Sequence, residues 1–429
     1  MVNTVRDHAN SGVMGSNTHD VAVIGLGYIG LPTAVMFANA GCSVAGVDIS
    51  KRAVDAVNAG EAHFEELGLS DMVERCVRRG SLRAYLSPMP ARHFIIAVPT
   101  PVDHATHEPD ISYVLAAGRS IAPVLEKGNL IVLESTSPVG TTRELASLLA
   151  ELRPDLVFPL NGQVEPDVHL AYCPERIIPG RMLQELVEND RVVGGMTPSC
   201  TRLARALYGR FVRGACIDSD DRTAELCKLT ENAFRDVNIA FANELSMICS
   251  DAGIDVWKVI ELANRHPRVN ILSPGPGVGG HCIAVDPWFI VATAPERARL
   301  IRAAREVNDS KPDYVLAQVA RAVAGGKPGS KIACFGLTYK PDVDDFRESP
   351  SLHIAHQLIR RYPGRVVCVD PFQEAFRHSG EPVDGILFAE SQDALRQADV
   401  VVMLVNHSAF RGMQKPEDKA VIDATGFWK

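Results

Sequence analysis

The chain has 429 residues, 46% hydrophobic and 22% charged, with a formal net charge of −8. At about 150 residues per domain it is too long for one core and implies two or three domains. The acid excess argues against a nucleic-acid binder, whose basic footprint would dominate, yet leaves room for small anionic ligands met by a few local Arg or Lys.

In chain order, residues 1–20 read as a polar, poorly ordered lead-in without the apolar core of a signal peptide. From Val21 the stretch VAVIGLGYIGLPTAVMFANAGCSVAGVDIS predicts strand, turn, helix, strand, closed by Asp48. HFIIAVPTP and NLIVLESTS add strands. From about 210 the pattern turns helical: RTAELCKLTENAFRDVNIAFANELSMICSDAG holds helical spacing for about 30 residues, with Gly253 where a C-cap belongs. DVWKVIELANRH predicts another helix, and a third starts near Pro295 with a break or kink at Pro312. From Lys331 the strand–turn–helix–strand pattern returns and ends on Asp370, and ADVVVMLVNHS and AVIDATGFW supply further strands. Apolar strands alternating with amphipathic helices predict parallel sheets covered on both faces. The predicted organisation is a lead-in (1–20), a first doubly wound domain (21–212), a central helical domain (213–326) and a second sheet domain (327–429). The long central helices suit either a dimer core or packing within one subunit. No apolar run spans a bilayer. The cysteines form no CxxC and no cluster with His, so no metal site and no disulfide framework are expected, and the compartment is a reducing cytoplasm.

Gly25, Gly27 and Gly30 fit GxGxxG after an apolar strand and at the start of a helix, with Asp48 ending the next strand. That context suits a dinucleotide. Gly25 permits the turn, Gly27 lets the backbone approach a pyrophosphate, Gly30 permits helix–sheet packing, and Asp48 accepts the ribose hydroxyls and so favours NAD. Tyr28 and Ile29 belong to the same turn. Thr100, Ser135 and Thr136 lie at later strand ends, and Thr142 at a helix start, where any one of them could be only an N-cap.

Glycines 275, 277, 279 and 280 precede Cys282, with Asp286 four residues later. Bare backbone there would let a substrate carbon reach the sulfur, and N–H donors would steady an oxyanion. Lys228, Asn232 and Arg235 share one helix face. That face is either a solvated stripe or a ligand-facing set. Asp286 either orients a catalytic group or starts a helix before Pro287.

The stretches GLGYIGLP, CPERIIPG, AELCKLTENAFRDVNIAFANE, GPGVGGHCIAVDP and KPDVDDFRESP occur in the order seen in the UDP-glucose/GDP-mannose dehydrogenase family, and the resemblance covers Val21 to Lys429. It implies two Rossmann-like domains joined by a central helical domain with a long connecting helix. It also implies oxidation of a sugar-nucleotide C6 alcohol to a carboxylate by two NAD in turn. Cys282 would capture the aldehyde as a thiohemiacetal and then hold a thioester. Lys228 would act as general acid/base or as the cation beside an oxyanion. Asn232 would fix the sugar or a water, Glu175 would manage the hydrolytic water, and Asp286 would orient Lys228 or that water.

The resemblance assigns substrate grip to Arg176, Ile177, Lys228, Asn232, Arg235, Gly279, Tyr339 and Lys340. His266 and Arg268 would be offered across a homodimer interface, and Arg347 would reach the NAD. The second sheet domain has GLTYK in place of GxGxxG, so it fits UDP rather than a dinucleotide. ANRHPRVN and DRTAELCKLTEN resemble the branch acting on UDP-N-acetylmannosamine. Other sugars (UDP-N-acetylglucosamine, UDP-glucose, GDP-mannose) and a single-step hydroxyacid dehydrogenase remain alternatives, as does an NAD-responsive binding protein without activity. No nucleic-acid or membrane partner is expected.

Overall fold

The structure is a computed structural model that describes residues 18–103, 106–160, 165–177, 180–382 and 385–429. Most of the expected lead-in, residues 1–17, lies outside the described residues. His19 and Asp20, also counted in that lead-in, already belong to the first strand.

The chain forms two compact units, divided within one long helix between Lys228 and Leu229. The first holds eight strands: β1 His19–Ile24, β2 Val44–Val47, β3 Leu82–Tyr85, β4 Ala91–Ile96, β5 Leu130–Leu133, β6 His169–Tyr172, β7 Arg191–Gly195 and β8 Cys216–Asp220. Their order is β3-β2-β1-β4-β5-β6-β7-β8. The chain winds outward from β1 in both directions, which places a switch point between β1 and β4, where open α/β sheets bind ligands. Alternation along the strands feeds two cores. Val21 and Val23 of β1 join one cluster, and Ala22 and Ile24 join the other. Both faces are therefore covered, as near-continuous apolar strands require.

The all-parallel expectation needs one correction: β6 and β7 pair antiparallel, while β7 and β8 pair parallel to each other. The return after β6 through the helix Met182–Glu188 brings the chain back reversed, and the helix Pro198–Tyr208 then makes an ordinary crossover.

The second unit contains a four-stranded parallel sheet of β9 Ile332–Phe335, β10 Val366–Val369, β11 Val400–Met403 and β12 Ala420–Asp423, in the order β10-β9-β11-β12. Ile332 and Cys334 face one core, and Ala333 and Phe335 the other. The helix Asp221–Asp251 ends as expected, with Gly253 at φ +69° and Ile254 N–H donating to Cys249 O at 2.8 Å. Asp255 then caps the helix Val256–Ala263 by accepting from Trp257 and Lys258 N–H.

The third central helix starts later than expected and does not break at Pro312. It starts at Arg299 and runs unbroken to Gly325 with Pro312 inside. Proline leaves the Asn308 carbonyl without its helical donor. Gly277 packs at this point: a Cβ built on it would sit 3.4 Å from both Asn308 O and Pro312 Cδ. Among the described residues, no helix is long and apolar enough to cross a membrane.

Candidate active site

In the first unit the three fingerprint glycines separate by cause. Gly25 has φ +93°, and a Cβ on it would lie 2.4 Å from Ala97 O. On Gly30 it would lie 1.8 Å from Gly25 O. Both positions are closed by the protein itself. A Cβ on Gly27 would meet nothing within 4 Å, so packing gives no reason for glycine there, whereas close approach of a pyrophosphate does. The helix Gly30–Asn39 has no side-chain cap and no acid in its first turn, which leaves its N–H groups to an anion. Asp48 fixes the turn from the next strand, accepting Leu26 N–H at 2.8 Å and Ser50 N–H at 2.8 Å. Tyr28 is exposed and stacks on Phe64 at 4.3 Å, and Ile29 is half-buried beside it. The residues present fit a dinucleotide.

Thr100 and Thr136 meet at the strand ends, the Thr100 hydroxyl donating to Thr136 O at 2.5 Å. Thr142 stands at a helix start, as expected. It is fully buried, and its N–H and hydroxyl both donate to Glu225 Oε1, at 2.8 and 2.7 Å. The protein's own carboxylate takes these donors, so Thr142 ties the turn to the long helix.

Glu175 is buried. Its Oε2 accepts from Arg191 at 2.5 Å, and its Oε1 from Arg176 N–H at 2.8 Å. Arg191 also pairs with Glu134 at 3.4 Å and lies 4.5 Å over the Tyr208 ring. Glu134 accepts the Tyr208 hydroxyl at 2.5 Å and the Thr33 hydroxyl at 3.1 Å. Burial pushes the Glu134 carboxyl up to about 7 against the pull of Arg191. Sequence reasoning missed this cluster. Its one signal is a charge closing or opening an otherwise apolar strand, at Glu134 and Arg191. Arg176 and Ile177 follow Glu175 and are half-buried.

Lys228, half-buried, precedes Asn232 by one turn on the long helix. In the second unit, buried Asn232 donates Nδ2 to Asp286 Oδ2 at 2.5 Å. Asp286 is also the first residue of the helix Asp286–Thr293, so it opens a helix before Pro287 and is bound to Asn232. Arg235 is exposed. Cys282 lies in a turn directly ahead of that helix, and Asp286 N–H donates to Cys282 O at 2.8 Å. Among the ten cysteines Cys282 alone is exposed, and none forms a disulfide.

The glycines before Cys282 have a cause the sequence did not suggest. A Cβ on Gly279 would strike Glu348 O at 2.4 Å and Tyr339 Cβ at 2.9 Å. One on Gly280, at φ +79°, would strike the Tyr339 ring at 2.9 Å. The loop is bare there because the GLTYK and FRESP segments press against it. Only Gly275 is open.

Tyr339 is half-buried and Lys340 exposed after β9. The turn repeats the first unit's geometry: Asp370 accepts Leu337 N–H at 2.6 Å and Phe372 N–H at 2.8 Å, and Gly336 has φ +86°. Here, however, Asp370 is buried with His407 Nε2 at 3.4 Å, which leaves no open carboxylate for a ribose. Arg347 is held by both oxygens of Asp345, at 2.8 and 2.6 Å. His266 and Arg268 are exposed on the loop after the helix Val256–Ala263. Among the described residues no group of His, Cys, Asp or Glu is arranged to hold a metal ion.

Residues 19–212 match the NAD binding domain of the UDP-glucose/GDP-mannose dehydrogenase family, residues 222–310 its central domain and residues 333–429 its UDP binding domain. The chain is 54% identical over 419 residues to a UDP-N-acetyl-D-mannosamine dehydrogenase of Salmonella typhi, covering 95% of this chain and 99% of that one. It is also 54% identical over 411 residues to an NDP-N-acetyl-D-galactosaminuronic acid dehydrogenase of Ralstonia nicotianae, covering 95% and 96%. The solved UDP-D-ManNAc dehydrogenase of Pyrococcus horikoshii superposes with a TM-score of 0.83 at 36% identity, covering 96% of each chain. All three segments, in order and over nearly the whole length, place this chain in the UDP-glucose/GDP-mannose dehydrogenase family of NAD-dependent nucleotide-sugar oxidoreductases.

Proposed function

We propose that the protein oxidises the C6 alcohol of UDP-N-acetyl-D-mannosamine to the carboxylate, in two steps at one site. The observation that carries this reading is Cys282: the one exposed cysteine, in a loop whose exit is bound to the Asn232 face of the helix that also bears Lys228. NAD, when bound, accepts a hydride in each step. Gly25, Gly27, Tyr28, Ile29, Gly30, Asp48, Thr100 and Thr136 would hold it, with Arg347 reaching its charge. Lys228 takes the hydroxyl proton or balances the developing oxyanion. The Cys282 thiolate adds to the aldehyde carbon and gives a thiohemiacetal. Loss of the second hydride leaves a thioester, which water cleaves to the acid and the free thiol. Glu175, steadied by Arg191, holds that water, and Asn232 and Asp286 orient the sugar side.

Arg176, Ile177, Arg235, Gly279, Tyr339 and Lys340 would grip the UDP-sugar. The division at 21–212, 213–326 and 327–429 gives this reading its parts: cofactor, chemistry and UDP. A homodimer supplies His266 and Arg268 across the interface. It is supported by Phe234, Phe241 and Ile248, seven residues apart on one helix face and 68%, 55% and 58% exposed. The reaction belongs in a reducing cytoplasm, where ten cysteines stay out of disulfides.

Product mass and NADH yield with UDP-N-acetylmannosamine test the proposal. Two NADH and one uronate per sugar are expected, and Cys282→Ser should abolish the acid. A Cys282→Ser enzyme forming uronate at the native rate overturns it. Equal identity to the galactosaminuronic acid relative favours a second reading, the same chemistry on a galacto-configured N-acetylated sugar. A best rate on that sugar would replace the first choice.

A further inference from the structure

The exit of the Cys282 loop is bound by Asn232. Its entry is bound by the same helix, eleven residues on. Gly275 N–H donates to Asn243 Oδ1 at 2.8 Å, and Asn243 is fully buried. Behind Asn243 stands a buried chain of polar groups. Asn243 Nδ2 donates to Asn308 Oδ1 at 2.9 Å, Asn308 Nδ2 donates to Asp236 Oδ1 at 2.8 Å, and Arg305 donates to the same oxygen at 2.6 Å. Asn232, Asp236 and Asn243, at spacings of four and seven, share one helix face.

The sense of every bond is forced. The Asp236 main-chain carbonyl can only accept, so Asn308, which donates to it at 3.1 Å, must turn its amide nitrogen toward Asp236. That leaves Asn308 Oδ1 for the Asn243 nitrogen, which in turn leaves Asn243 Oδ1 for Gly275. Turning either amide would set donor against donor in a site without water's compensation. Stability is a poor reason for this arrangement. Burying an ion pair is costly unless its remaining atoms are satisfied, yet Asp236 Oδ2 and Arg305 Nε have no hydrogen-bond partner among the described residues. Beyond the two helices, the chain of bonds delivers one thing: an acceptor of fixed orientation at the start of the Cys282 loop.

We propose that Asn243 is a positioning residue for Cys282, its amide oriented through Asn308 by the buried Asp236–Arg305 pair. The inference rests on the reading of Cys282 as the nucleophile. Asn243→Leu keeps the volume and removes both bonds. It should lower kcat about 100-fold, as a displacement near 1 Å does, with the sugar KM nearly unchanged. Asn243→Asp keeps the acceptor for Gly275 and, protonated in this buried site, the donor for Asn308, and should recover most of that loss. Alkylation of Cys282 by iodoacetamide, read by mass, should change in rate in Asn243→Leu and return toward wild type in Asn243→Asp. Wild-type kcat and alkylation in Asn243→Leu, or equal losses in the two variants, overturn the inference. If Asn243→Leu does not fold, Asn308→Ala, which frees the Asn243 amide to turn, decides by the same split of kcat from KM. Cys282→Ala is assayed alongside: uronate from it would sink the nucleophile reading itself, whereas an inactive Cys282→Ala beside an unimpaired Asn243→Leu sinks this inference alone.

Discussion

Gly27 and Gly30 lie three residues apart in one motif, but different neighbours demand them. Gly30 is closed by the Gly25 carbonyl, and Gly27 by nothing among the described residues. Gly30→Ala should therefore destabilise the fold by about 1–3 kcal/mol, the usual cost of overpacking. Gly27→Ala should leave the melting temperature unchanged and weaken NAD about tenfold, about 1.4 kcal/mol. Calorimetry and an NAD titration on both variants separate the two, and equal melting losses would refute the assignment. The fingerprint was legible because turn, helix start and closing Asp lie within one short stretch. The bond that Thr142 makes was not legible, because its partner, Glu225, lies far along the sequence. The glycines at 279 and 280 were legible as bare backbone, but their cause was not, since Tyr339 and Glu348 approach from a distant segment.

Secondary-structure elements carry their own lesson. Alternating apolar strands and the 3.6-residue period announced both sheets and the long helix, because those signals are local. The direction of β7 is not encoded locally, and the antiparallel join at β6 went unseen. The Glu134–Arg191–Glu175 cluster was hidden for a related reason: β5, β7 and the loop after β6 each contribute one charge that looks like an ordinary strand end. Arg191→Met would leave two buried carboxylates without their cation and should cost about 3–5 kcal/mol, measured by urea unfolding. Glu134 gives a pH test. Its folded pKa, about 7, stands above the ordinary 4.5, so the folded state holds a proton that the unfolded state releases. Its contribution is fully present below pH 4.5, is lost as pH rises through about 7, and is flat beyond. Glu134→Gln cannot titrate. The melting temperature of wild type relative to Glu134→Gln should therefore fall from pH 5 to pH 8, and a constant difference would show that Glu134 is ionised throughout.

At the scale of the whole molecule, a chain of net charge −8 must bind two anionic ligands, so the cations that do so have to be placed rather than abundant. Arg268 and His266 are exposed, which suits delivery to a second copy. The Phe234–Phe241–Ile248 stripe is the surface on which that copy would seat. If the proposed dimer forms through this stripe, Phe241→Asp should leave a monomer in sedimentation and remove activity with it. A sharper test uses two dead enzymes. If Arg268 serves the partner's site, Cys282→Ala and Arg268→Ala chains paired in one dimer rebuild one complete site, with the sulfur from one chain and the guanidinium from the other. Random pairing in a two-fold dimer makes about half the dimers mixed, each with one good site, so co-expression should restore about a quarter of wild-type turnover. If Arg268 acts within its own chain, the mixed dimer contains only sites lacking one group or the other, and no activity returns.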